Sequence, residues 1–125
     1  MSLAKVAIRS LPLTQPPIPE GGGRIQSTAG ELARVVNGEQ FRFLAYIEFR
    51  NDGPTVRGNH YHKQRTEILY VISGRLQAGY LDLDTGKSMK TILRGGDLVA
   101  IRPKCAHVYY PLEYSQAIEM SAHYL

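Results

Sequence analysis

Cysteine is almost absent from this sequence: Cys105 is the single one among 125 residues. One cysteine excludes an intrachain disulfide, which favours a reducing compartment. No apolar run approaches the roughly 20 residues of a membrane-spanning helix, and the N-terminus has no long apolar stretch of the signal-peptide kind. The sequence therefore predicts a cytoplasmic protein with no membrane partner.

Runs of one charge are also missing, although the formal net charge is +4 and the isoelectric point is about 9.3. Lysines and arginines are scattered singly, with no run of five. No helix-turn-helix, zinc-finger or RNA-recognition signature is present. This distribution argues against a nucleic-acid partner and favours a small anionic ligand at a basic rim.

The organisation of the chain is that of one domain, because 125 residues with 43% hydrophobic content can bury a core of their own. Residues 11–24 hold four prolines and three glycines, which excludes regular structure across most of that stretch. We predict an extended N-terminal arm over residues 1–30 and a β-barrel over residues 31–125. The arm is either a surface loop or a segment that packs on a partner subunit.

Apolar residues recur with a period of two, which is typical of half-buried strands. In residues 41–50 every odd position is apolar, from Phe41 to Phe49. Turn signals separate the further predicted strands, which are residues 68–72, 75–83, 88–93, 98–101, 107–111 and 116–122. Many short strands and no long helical pattern predict an all-β sandwich or barrel.

Two segments carry the residues suited to chemistry. His60 and His62 are two apart, so on one strand they share a face. Polar residues 63–66 can turn the chain so that Glu67 begins a neighbouring antiparallel strand and faces the histidines. His107 begins another strand 40 residues later. Imidazoles and a carboxylate that converge from separate strands suit a divalent ion with open positions.

The first of these segments resembles the first motif of the cupin superfamily. His60-Tyr61-His62 is followed by four residues, Glu67, six residues and Gly74. The second segment, residues 96–107, resembles the second cupin motif, with Arg102 and Lys104 where the family usually has proline and glycine. The resemblance implies a small double-stranded β-helix, a jelly-roll barrel of the RmlC-like kind, with its ligand pocket inside.

The cupin resemblance also implies a cofactor and an assembly. The cofactor is one divalent transition metal per chain (Zn, Mn, Fe or Ni), and the implied ligands are His60, His62, Glu67 and His107. Small cupins pair through an edge strand of each barrel, so we expect a homodimer.

Residues 57–63 and 106–113 resemble those of cupins that act on nucleotide-linked keto-deoxysugars. Such enzymes abstract a proton next to a carbonyl, which needs a base and a group that stabilises the enolate. We therefore expect metal-assisted isomerisation or epimerisation of a small polar molecule, either carbohydrate-derived or anionic. His60 and Glu67 are the predicted catalytic residues, and the predicted substrate-binding residues are Arg57, Lys63, Arg102 and Tyr109.

Two alternatives to this enzyme stay open at the sequence level. One is a non-enzymatic module that binds a small molecule, and the other is a non-haem-iron dioxygenase, because this fold serves many functions. Glu119 lies on the last predicted strand, and alternation alone does not decide which face it takes.

Overall fold

The structure is a computed structural model that describes residues 2–53 and 57–123, without the side chains of Asn59 and His60. This part of the chain contains eleven β-strands. The strands are β1 (Val6–Ser10), β2 (Gly23–Ser27), β3 (Gly30–Arg34), β4 (Phe43–Phe49), β5 (Arg57–His60), β6 (Glu67–Ser73), β7 (Arg75–Asp82), β8 (Ser88–Arg94), β9 (Asp97–Ile101), β10 (Cys105–Pro111) and β11 (Ser115–Ser121). Within those residues no helix is long and apolar enough to cross a membrane. The all-β prediction is confirmed.

The strands form two main sheets and a separate hairpin. The larger sheet has the order β1-β9-β6-β11-β4, the smaller one β5-β10-β7-β8, and β2 pairs with β3. All paired strands run antiparallel. Two antiparallel sheets around one core are the architecture of a jelly roll, as the sequence predicts.

The core lies between the inner faces of the two main sheets. Alternate residues point inward, so Leu69 and Val71 of β6 meet Leu76 and Ala78 of β7 in one buried cluster. Each of these four side chains is at most 1% exposed. This period-two pattern predicts β4 and β7 in the sequence, and turn signals delimit the other predicted strands.

The outer face of the larger sheet is buried as well. Tyr70, Leu98 and Met120 point outward from their strands and pack with Leu11 in a second cluster, which Val35 joins. The chain between β1 and β4 therefore covers its own sheet. Burial on both faces explains why β6 reads as an almost continuous apolar run rather than as a strict alternation.

The predicted N-terminal arm contains two strands. β1 forms the edge of the larger sheet, in register with β9 from Val6↔Ile101 to Ser10↔Asp97. β1 has one buried and four exposed residues, so its sequence shows no apolar alternation that would predict a strand. β2 belongs to the hairpin. The domain boundary at residue 30, the contact of the arm with a partner subunit and the homodimer stay predictions.

Candidate functional site

The loop 61–66 carries the chain from β5 of the smaller sheet to β6 of the larger one. Two hydrogen bonds fasten it: the Lys104 amide donates to the His62 carbonyl at 2.7 Å, and the Ser121 hydroxyl donates to the Thr66 carbonyl at 2.9 Å. β5 ends at His60, so His62 lies in this loop and not on the same strand as His60. The loop therefore sets the direction of His62.

Lys104 shapes the turn before β10 that holds this loop. Its φ is 61°, a left-handed conformation that glycine adopts most easily. The family usually has glycine at this place, and here a lysine keeps the same kind of turn. The substitution seen in the sequence therefore leaves the turn able to bind the His62 carbonyl.

Glu67 is the centre of the candidate site. It is the first residue of β6 and only 1% exposed. Its Oε1 lies 3.1 Å from His62 Nε2, and its Oε2 lies 3.2 Å from His107 Nε2. On the other side of its ring, His107 Nδ1 lies 3.1 Å from the Cys105 carbonyl. One carboxylate thus joins two imidazoles, one from the loop and one from β10.

Arg65 and Glu119 complete the cluster. The Nη2 of Arg65 lies 3.1 Å from Glu67 Oε1 and 3.5 Å from Glu119 Oε1. The guanidinium carbon is 4.8 Å from the centroid of the Phe43 ring. In the sequence Arg65 belongs only to the polar segment 63–66, and the direction of Glu119 stays open. Both side chains belong to the site.

Glu119 could have been found only with knowledge of the outer face. Both faces of β11 carry apolar residues, since Ala117 lies in the inner core and Ile118 packs on the outer cluster. Once the N-terminal segment is known to cover Ile118 and Met120, Glu119 must share the inner face with Ala117.

The ionisation of the cluster follows from burial and from these contacts. Burial alone would raise the pKa of Glu67, but the hydrogen bond and charge of His107, with His62 and Arg65, lower it to about 2. Burial disfavours charge on His107 too, yet its contacts with Glu67 raise its pKa. Burial lowers the pKa of His62, and burial together with the Glu67 charge raises the pKa of Glu119 to about 7. The contact between the two side chains thus favours the ionised form of Glu67 and the protonated form of His107.

A cavity of about 330 Å³ adjoins the cluster inside the barrel. His107 and Glu119 line it together with Phe49, Tyr109 and Arg57. The Tyr109 hydroxyl is 3.3 Å from that of Tyr80. The cavity is therefore an aromatic chamber with titratable side chains in its wall.

A comparison with models of protein families assigns the chain to a family. The family model described as cupin matches residues 43–123, from β4 to the end of the described chain. The chain is a cupin. A search among curated proteins found no relative of this cupin.

Solved structures similar to this cupin include enzymes of nucleotide-sugar metabolism. The sugar 3,4-ketoisomerase QdtA from Thermoanaerobacterium thermosaccharolyticum, solved with TDP, has a TM-score of 0.74 and 16% identity over 99% of this chain and 85% of its own. The TDP-quinovose 3,4-ketoisomerase WlaRB from Campylobacter jejuni has a TM-score of 0.73 and 17% identity, covering 98% and 88%. The dTDP-4-dehydrorhamnose 3,5-epimerase from Sulfolobus tokodaii has a TM-score of 0.69 and 22% identity, covering 82% and 67%. At these identities the likeness establishes the fold.

The predicted substrate-binding residues of this cupin separate into two groups. Arg57 and Tyr109 line the cavity. Lys63 instead lies in a surface depression of about 530 Å³ that Lys104 also lines. Arg102 is exposed after the end of β9 and is not among the residues that line either space. The role of Lys63 and Arg102 in substrate binding stays a prediction.

The predicted metal ligands of this cupin can be tested for fit. One donor atom each of His62, Glu67 and His107 lies within 4.8 Å of the others. Contacts of 3.1 and 3.2 Å between donors suit an ion held about 2.1 Å from each. The backbone of His60 lies opposite His107 in the register of β5 and β10, and its side chain is outside the described part. The described donors fit a divalent metal in kind and spacing.

Proposed function

We propose that this cupin isomerises or epimerises a carbohydrate-derived molecule with a keto group, by moving a proton on the carbon next to that group. The observation that carries the proposal is the buried acid–base cluster, which reaches the 330 Å³ cavity through His107 and Glu119. Proton transfer next to a carbonyl needs a base and a donor to the developing enolate, and these two side chains supply one of each.

The roles divide by access to the cavity. Glu119 is the carboxylate that lines the cavity, and it would take the proton from carbon. His107, whose pKa is raised, would donate from its ring to the enolate oxygen. Glu67 does not line the cavity but contacts both imidazoles, so it acts as a positioning residue. The sequence also predicts a catalytic role for His60. This role is part of the proposal, and only the motif supports it.

The substrate class is supported by two features. Arg57 lines the cavity next to Phe49, with its guanidinium carbon 5.8 Å from the ring centroid, and it suits an anionic part of a ligand. The similar solved structures are ketoisomerases and epimerases named for TDP-linked sugars. A nucleotide-linked keto sugar would bring both an anionic diphosphate and a carbonyl.

A divalent metal, if bound, would be held by His62, Glu67 and His107, with His60 as the fourth ligand that the motif implies. Such an ion would take the His107 nitrogen that faces Glu67, and it would supply Lewis-acid stabilisation of the enolate in place of the His107 proton. The residues of the chain would still bind the sugar, exclude water and hold the proton at the Glu119 carboxylate.

The experiment that tests the proposal follows hydrogen exchange in D₂O by NMR, with TDP-, UDP- and GDP-linked 4-keto-6-deoxysugars as probes. We expect deuterium to enter next to the carbonyl and an isomer to form, faster than in an enzyme-free control. His107→Gln should slow the exchange at least about 100-fold, because it removes the donor. The matched control is His123→Gln, since His123 is exposed near the C-terminus.

Three outcomes would contradict the proposal. Binding of a sugar with no exchange would indicate a non-enzymatic module. Oxygen consumption that depends on added iron would indicate a dioxygenase. Equal exchange rates for the wild type and His107→Gln would remove His107 from the reaction.

A further inference from the structure

We propose that Arg65 is a built-in cation that competes with a divalent metal for the same carboxylate and imidazole atoms, and so keeps the affinity of the cluster for metals low. The inference concerns the charge of the site and not turnover. It therefore holds or fails independently of the proposed function.

The position of the Arg65 side chain carries the inference. Its Nη2 lies 3.1 Å from Glu67 Oε1 and 3.4 Å from His62 Nε2. These two atoms are donors that the metal would use. Since the side chain is 7% exposed, neither solvent nor salt screens it strongly from the cluster.

Arg65 already places a positive charge beside the carboxylates of the cluster. Glu67 and Glu119 are the acidic groups, and Arg65 contacts both. His107 contacts the other oxygen of Glu67, with its Nε2 3.2 Å from Oε2. A divalent ion on the same atoms would lie a few ångströms from the guanidinium, where repulsion between cations in a partly buried site is strong.

Arg65 cannot move away without cost. Its guanidinium carbon lies 4.8 Å from the centroid of the Phe43 ring, a cation–π contact. Its Nε and Nη1 are buried without a hydrogen-bond partner among the described residues, so the ring is the neighbour on that side. The loop that carries Arg65 is fastened at His62 and at Thr66. A metal would therefore have to bind against a cation fixed in place.

The test is a titration of the metal-free protein with Mn²⁺, Zn²⁺ and Ni²⁺, followed by calorimetry and by metal analysis after dialysis. Arg65→Met removes the charge and keeps a long side chain, and Arg65→Lys is the matched control that keeps the charge. We expect Arg65→Met to bind at least about tenfold more tightly than the wild type, with Arg65→Lys close to the wild type. Added metal should also raise the Tm of Arg65→Met more than that of the wild type.

A second pair of variants allows the same comparison if Arg65→Met misfolds. If Arg65→Met does not fold, the double variant Arg65→Met/Glu119→Gln removes one charge of each sign and is compared with Glu119→Gln alone. The inference is wrong if the wild type holds one metal per chain as tightly as Arg65→Met, or if the double variant binds no better than Glu119→Gln. A protein that follows the expected metal order but exchanges no sugar proton would contradict the proposed function alone.

Discussion

The two sheets that enclose the cavity contribute opposite kinds of side chain. The larger sheet supplies the carboxylates, Glu67 on β6 and Glu119 on β11. The smaller sheet supplies an imidazole and two phenols: His107 and Tyr109 on β10, and Tyr80 on β7. Glu67 and His107 thus belong to separate layers and meet across the barrel interior, while Arg65 and His62 come from the loop that joins the layers.

The two walls differ in charge and in the partners of their polar groups. We call Glu67 and Glu119 the acidic wall, and Tyr80 and Tyr109 the phenol wall. On the acidic wall, Glu67 is ionised and depends on charged partners, Arg65 and His107. On the phenol wall, Tyr80 and Tyr109 share one neutral hydrogen bond, and burial raises the pKa of both. A change of charge in the acidic wall should therefore alter the free energy of unfolding more than a change in the phenol wall, and only the effect in the acidic wall should depend on pH.

The largest effect is expected from Glu67→Gln. The change leaves Arg65 and His107 without the carboxylate that both contact. Because the pair is buried, the free energy of unfolding should fall by about 3 kcal/mol, measured by urea unfolding at pH 7. The control is Glu31→Gln, which breaks the ion pair with Arg24 on the exposed hairpin and should cost less than about 1 kcal/mol. Equal losses in the two variants would contradict the comparison of buried and exposed charge.

Glu119→Gln should have a smaller effect that depends on pH. The pKa of Glu119 is raised from 4.5 to about 7, so its contribution to stability is complete below pH 4.5 and is lost as the pH rises through 7. Glutamine does not ionise, so the variant should match the wild type at pH 5. At pH 8 it should be more stable by about 1 kcal/mol, a value reduced from the full shift because the carboxylate is partly solvated. Urea unfolding at both pH values measures this, and the same difference at pH 5 and 8 would exclude titration of Glu119 as the cause.

The smallest of the three effects is expected on the phenol wall. Tyr80→Phe removes one partner of the buried hydrogen bond with Tyr109, which is neutral and 3.3 Å long, at a cost of about 0.5 kcal/mol. The cost should be the same at pH 5 and 8, since neither hydroxyl ionises in that range. The control is Tyr110→Phe, an exposed residue next to Tyr109 on β10, which should not change the stability. Thermal unfolding at both pH values checks the prediction, and a cost that changes with pH would show that the phenol wall is coupled to the charges.

Most of the barrel could be predicted from the sequence, because its strands bury one face and alternate visibly. From β6 to β11 the predicted strands agree with the observed ones to within one or two residues. β1 could not be predicted, because an edge strand with exposed side chains is specified by its backbone pairing with β9. The β2–β3 hairpin was hidden for a related reason: its five-residue strands are mostly exposed or half-buried.

The candidate site could be predicted only in part. The motif identifies Glu67 and His107, which do lie together. Neighbourhood in sequence was a poor guide to the cavity, since Lys63 and Arg102 flank the motifs yet do not line it. Glu119 reaches Arg65 from 54 residues away, a contact that depends on how the sheets close.

The division of the site between two layers also determines when it forms during folding. The loop 61–66 joins the layers directly, but the Glu67–His107 contact spans 40 residues and must wait until β10 docks. Contacts between distant segments form late, after the entropy of closing long loops has been overcome. The buried charges therefore come together only after β6 and β10 have docked, and substitutions that break their contacts should accelerate unfolding more than they slow folding. The site therefore stabilises the folded barrel and takes no part in starting its folding.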